Sequence, residues 1–99
     1  MRIYLCGPVS GTEDSRERFR RAELAMSREG FEVVNPVKIV RKLPEGVSYR
    51  EIMELCIHLL DMCEMIFLME GWEYSNGCNA EVAHALAKKI TVTYEGGKG

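Results

Sequence analysis

Cys63-Glu64-Met65-Ile66-Phe67-Leu68-Met69-Glu70-Gly71-Trp72-Glu73-Tyr74-Ser75-Asn76-Gly77-Cys78-Asn79-Ala80-Glu81 is the stretch whose reading decides the fold. Cys63 to Met69 is apolar apart from Glu64, as in a strand covered on both faces of a sheet. Small and polar residues from Gly71 to Gly77 then break the chain. An alanine-rich helical pattern follows, from about Gly77 to Lys88. Strand, turn and helix opening together make a site for an anion. The first N–H groups of a helix lack intrahelical partners, and the helix dipole favours negative charge there. Glu81 lies about one turn inside that helix.

The same reading extends toward the N-terminus. Arg2 to Cys6 alternates around Ile3 and Leu5 as a short strand, broken by Gly7-Pro8-Val9-Ser10-Gly11. A first helix is expected from about Asp14 to Glu29, with Phe19, Ala22 and Met26 on one face and Gly30 after its end. Phe31 to Val34 reads as a second strand, stopped by Asn35-Pro36. Residues 37 to 47 read as a loop with room for a short helical turn. Ser48-x-x-Glu51 is a capping box that opens a second helix to about Met62, with Ile52, Leu55, Cys56, Leu59 and Cys63 on its apolar face. Ile90 to Tyr94 is a fourth strand, and residues 94–99 form a polar tail.

Strands alternating with helices imply one α/β domain over residues 1–99, a three-layer sandwich with a parallel four-stranded sheet and helices on both faces. The flavodoxin-like order 2-1-3-4 places the topological switch point between strands 1 and 3. The loops 7–11 and 71–77 both leave the carboxyl ends of those strands, where open α/β sheets bind ligands.

Composition narrows the function classes. Ninety-nine residues allow a single core, and a net charge of −2 argues against nucleic-acid binding, which needs clustered unpaired cations. The arginines at 16, 18, 20 and 21 alternate with acids and read as a solvated face with local ion pairs. No apolar run approaches the ~18 residues of a membrane span, and no signal-peptide pattern opens the chain. Cys6, Cys56, Cys63 and Cys78 form no CxxC pair, so they read as reduced core residues of a cytoplasmic protein. His58 and His84 add no metal spacing, so neither a metal nor another cofactor is expected.

The loops fit neither a Rossmann fingerprint nor a P-loop, because no G-x-G-x-x-G or Gly-Lys-Ser/Thr is present. Ser75, Asn76 and Gly77 can supply a hydroxyl and backbone N–H groups to a phosphate, or Ser75 or Asn76 can simply cap the helix. Glu81 is either a first-turn acid that complements the dipole or a nucleophile facing the crevice. Near a helix N-terminus it is expected to stay ionised at neutral pH. Trp72 or Tyr74 is placed to stack on a base or to pack at the rim. Tyr4 points either into the core or up at the crevice.

These residues together resemble the nucleoside 2-deoxyribosyltransferase-like superfamily, and within it a small branch associated with phages and prophages. The resemblance rests on Met1 to Gly11, Gly30 to Pro36, Cys63 to Ile66, Gly71 to Gly77, and Glu81. It implies a flavodoxin-like fold, no cofactor, and cleavage of the N-glycosidic bond of a nucleoside or nucleotide. By that resemblance Glu81 attacks the anomeric carbon to give a glycosyl-enzyme, with Tyr4 beside it. Gly7, Pro8, Ser10, Gly11, Trp72, Ser75, Asn76 and Gly77 would bind the substrate. Base-exchanging transferases carry an aspartate six residues before the glutamate, whereas deoxynucleoside 5′-monophosphate N-glycosidases carry a serine. Ser75 and Gly77 match the latter, which implies a 5′-monophosphate substrate. Both groups place an aspartate in the second helix where this chain has Cys56. Asp61, five residues on, points elsewhere on a helix, and Glu73 is one alternative acid. The expectations are therefore an N-glycosidase or transferase, a nucleotide-binding protein with the chemistry lost, or a structural oligomer. The family resemblance and the exposed sheet edges imply a homodimer or higher homo-oligomer.

Overall fold

A computed structural model describes residues 1–9 and 14–97. In chain order the elements are β1 (Arg2–Cys6), α1 (Ser15–Arg28), β2 (Glu32–Val34), α2 (Pro36–Val40), α3 (Tyr49–Asp61), β3 (Met65–Leu68), α4 (Asn76–Ala87) and β4 (Thr91–Tyr94). Two 3₁₀ turns, Trp72–Tyr74 and Glu95–Gly97, precede α4 and follow β4. The strands form one all-parallel sheet in the order β2-β1-β3-β4. It is a flavodoxin-like α/β sandwich.

Alternation along the central strands builds two cores. Ile3 and Leu5 of β1 join Phe67 and Met69 against Phe19 and Ala22 of α1. Tyr4 and Cys6 join Ile66 and Leu68 on the opposite face, against Cys56 and Leu60 of α3 and Cys78 and Ala85 of α4. Strands covered on both faces must be apolar throughout, which is why Met65–Leu68 is an unbroken apolar run. Glu64, the polar break before it, accepts the Arg2 N–H at 2.7 Å from outside the sheet.

The helix ends follow local chemistry. The Ser48–Glu51 capping box forms as expected, with Ser48 Oγ accepting the Glu51 N–H at 3.1 Å and Glu51 Oε1 accepting the Ser48 N–H at 2.9 Å. Gly30, at φ +94°, takes the left-handed conformation after α1 that side chains resist. The stretch read as a loop with room for a helical turn begins with α2. Asn35 caps it by accepting the Lys38 N–H, and Pro36 supplies a preset first φ. Val37 packs against one core and Val40 against the other, so α2 spans the carboxyl end of the sheet.

The polar tail is tied down where it begins: Glu95 accepts the Glu70 N–H at 2.8 Å and lies 4.0 Å from Arg18. Arg20 and Arg21 pair with Glu17 on the surface, as the local pattern implies. Arg18 departs from that pattern and donates to the Glu70 carbonyl at 2.8 Å. No helix among the described residues is long and apolar enough to cross a membrane.

Candidate functional site

Parallel strands bring the carboxyl ends of β1 and β3 together, and the crevice above them is a cavity of about 290 Å³. Its walls come from Gly7 and Val9 after β1, Phe19 of α1, Val37 to Arg41 of α2, Tyr49 to Cys56 of α3, and the opening of α4. Most of the lining is apolar; Glu81 and Arg41 are the charged members among the described lining residues.

Tyr4 and Glu81 meet at the floor. Tyr4 is fully buried and its hydroxyl donates to Glu81 Oε2 at 2.7 Å. Tyr4 therefore points both ways that the sequence left open, lying in the core below the cavity and lining it. Glu81 is only 7% exposed. Burial works against the ionised form of Glu81 expected near a helix N-terminus. Its side chain is in the second turn of α4, and burial raises its pKa despite the opposing hydrogen bonds from Tyr4 and Cys6. The Tyr4 phenol is in turn pushed far up by burial and by the adjacent carboxylate.

Cys56 stands beside the Tyr4 hydroxyl, and burial raises its thiol above the ordinary value. Asp61 points away from the cavity, as its helical spacing requires, and lies 2.6 Å from His84 Nε2. Glu73 is exposed on the 3₁₀ turn and does not line the cavity. Glu81 is thus the one carboxylate among the described lining residues.

Ser75 is the N-cap of α4, with Oγ accepting the Cys78 N–H at 3.2 Å. Asn79 Nδ2 braces the turn by donating to the carbonyls of Glu73 and Ser75. The helix begins at Asn76, one residue earlier than expected, because Ser75 rather than Asn76 takes the cap. Ser75 and Gly77 line the cavity, whereas Asn76 and Pro8 do not. Trp72 packs against the α3/α4 core and Tyr74 is 91% exposed; neither ring lines the cavity. Gly7 is buried, and a Cβ there would stand 3.0 Å from Met69, which would have to give way. Ser10 and Gly11 lie outside the described residues.

Sequence spacing did not show that Cys6 and Cys78 converge. Their sulfurs and a Glu81 oxygen lie within 4.8 Å of one another, all three residues buried. The Cys6 thiol is pushed far up by its hydrogen bond with Cys78 and by burial, and it lies 3.9 Å from the Cys78 carbonyl. Two sulfurs and a carboxylate are a donor set for a thiophilic cation. Such an ion would compete with Tyr4 for Glu81. Arg41, Tyr49 and Met53 also line the cavity, and no periodic signal singled them out.

A family model described as a domain of unknown function, DUF4406, matches residues 1–94. The chain belongs to the DUF4406 family. No curated protein matches it significantly. The match in this DUF4406 protein extends from Met1 through Tyr94, so every cavity residue named above lies inside the family domain.

Proposed function

We propose that this cavity binds a nucleoside or deoxynucleoside 5′-monophosphate and that Glu81 cleaves its N-glycosidic bond, as the resemblance to the nucleoside 2-deoxyribosyltransferase-like superfamily implies. The observation that carries this reading is a buried carboxylate, the one carboxylate among the described lining residues, oriented by Tyr4 at 2.7 Å on the floor of an apolar cavity that a helix N-terminus also lines. About 6 Å of helical rise separates Gly77 from Glu81, comparable to the reach from a 5′-phosphate to its anomeric carbon. Apolar walls suit a base, and the opening of α4 suits the phosphate.

In this mechanism a Glu81 oxygen attacks C1′ from the side opposite the base. The C1′–N bond breaks, its electron pair leaves with the base, and water supplies the base's proton. Water or a second base then displaces Glu81 from C1′, giving hydrolysis or transfer with retained configuration. The attacking form is ionised, so the acid limb of kcat/KM lies above the ordinary glutamate value of 4.5.

A second reading is favoured by Cys56. Retaining glycosidases use a pair of carboxyl groups, whereas the described lining here holds Glu81 and a thiol that burial keeps protonated. In that case the chain binds or senses a nucleotide without turning it over. Incubation with nucleosides and 5′-monophosphates, followed by chromatography, separates the two. Free base that disappears in Glu81→Gln supports the enzyme. Monophosphates that raise Tm without base release support the binding protein. Neither effect would sink both readings. Assembly as a homodimer or higher oligomer belongs to the same proposal and is read by light scattering.

A further inference from the structure

The cavity is electrically asymmetric. Glu81 lies on the buried floor, while Arg41, exposed, lines the same cavity from the end of α2. Arg41 is the C-cap of α2, and its backbone N–H is held by the Val37 carbonyl at 3.2 Å. Its main chain is therefore fixed. Arg2, Arg18, Arg20, Arg21, Lys38 and Arg50 each have a carboxylate within 4.0 Å. The Arg41 guanidinium has no partner among the described residues.

Tyr49, the first residue of α3, approaches from the same side. It is 66% exposed, yet its hydroxyl lies 3.3 Å from where a Cβ on Gly77 would stand. The phenol oxygen thus hangs over the first turn of α4. There the Cys78 and Asn79 N–H groups are consumed by Ser75, while those of Asn76 and Gly77 donate to no described group.

A phosphate dianion entering this cavity meets apolar walls and a carboxylate at the floor. Backbone N–H groups and the Ser75 hydroxyl bring only partial charge against that repulsion and desolvation, so a cation adds to what the opening of α4 offers. Arg41 is the one cationic side chain in the described lining. Its planar fork matches phosphate oxygens. We propose that Arg41 and Tyr49 complete the phosphate subsite, closing on the 5′-phosphate from the α2–α3 side while the first turn of α4 holds it from the other. They set the preference for a monophosphate over the matching nucleoside. This inference rests on the nucleotide reading above.

The test is calorimetric titration with dAMP, dGMP, dCMP and TMP and with the four matching nucleosides, in Glu81→Gln protein so that ligands persist. Arg41→Gln is expected to weaken monophosphate binding roughly tenfold or more, with nucleoside affinity unchanged and a shallower salt dependence. Arg41→Lys should fall between, and Tyr49→Phe should cost a few-fold on monophosphates alone, as loss of one neutral donor. Apo Tm values that match the parent exclude a folding artefact. A parent that prefers monophosphates while Arg41→Gln and Tyr49→Phe leave that preference unchanged overturns the inference and spares the nucleotide reading. A parent that binds no nucleotide overturns both.

Discussion

Replacing Tyr4 with Phe removes one oxygen from a site where nothing else need move. Tyr4 is fully buried, the ring of Phe fills the same space, and the lost contact is the 2.7 Å bond to Glu81. The cost depends on what Glu81 is. A hydrogen bond to a neutral carboxyl contributes about 1 kcal/mol, whereas one to a charged partner contributes about 1.5–3 kcal/mol. Glu81 is buried, so solvent does little to soften the difference.

The sign of the pH dependence follows from burial. Burial raises the folded-state pKa of Glu81, so its favourable contribution is full below the unfolded value and is lost as pH rises through the folded one. Without the Tyr4 donor, which lowers that pKa, the folded value rises further and the loss extends to higher pH. Urea denaturation should therefore show Tyr4→Phe destabilised by about 1 kcal/mol at pH 4.5 and by about 2–3 kcal/mol at pH 8, with m unchanged. In a Glu81→Gln background the same change should cost about 1 kcal/mol at both pH values, because the amide never ionises. Equal destabilisation at both pH values in the Glu81 background would show that the carboxylate is not what Tyr4 holds.

Gly77→Ala separates stability from binding. Alanine at a helical position is worth up to about 1 kcal/mol over glycine, but its Cβ would sit 3.3 Å from Tyr49 Oη and 3.4 Å from Met53 Sδ, both ends of side chains. Thermal melts should show little net change, while calorimetry shows weaker monophosphate binding because the methyl displaces Tyr49 from the first turn of α4. His84→Ala removes the 2.6 Å contact that ties α4 to Asp61 of α3. His84 holds the Asp61 pKa below its ordinary value, so this contact stabilises above the unfolded pKa and is lost as pH falls through the folded one. Circular dichroism during acid titration should place the variant's unfolding at higher pH than the parent's; coincident curves would rule out a stabilising role.

The fold was legible because parallel strands covered on both faces leave a plain record. Met65–Leu68 is apolar at every position, Phe19 and Ala22 are one helical turn apart, and the Ser48 capping box marks where α3 starts. The site was legible only in part. Period two groups Tyr4 with Cys6 and Ile3 with Leu5, but alternation alone does not say which pair faces α4. Cys78 is near Cys6 only because that parity falls as it does. Arg41 and Tyr49 carry no periodic signal, since each sits at the end of a helix rather than on a buried stripe. The burial of Glu81 is illegible for a different reason. The dipole that favours an ionised acid fades beyond the first turn, and the desolvation that opposes ionisation depends on packing that sequence does not state.

That burial bears on function. A carboxylate placed for stability alone would sit at the solvated start of α4, where the dipole favours it. Glu81 instead lies where burial works against its charge, and its hydrogen-bond donors are a phenol and a thiol rather than a cation. Tyr4 and Cys6 offset part of that penalty but supply no positive charge. The positive charge that such a site lacks is what develops at an anomeric carbon as its bond to a base breaks. A site that holds its anion under-compensated in the ground state gains most when that charge appears. Glu81→Gln should accordingly stabilise the fold relative to the parent increasingly as pH rises above 4.5, while abolishing base release. Opposite movement of stability and activity in one substitution is the signature of a carboxylate kept for chemistry. If Glu81→Gln instead lowers stability at pH 8, the carboxylate is a structural member of the Tyr4 network.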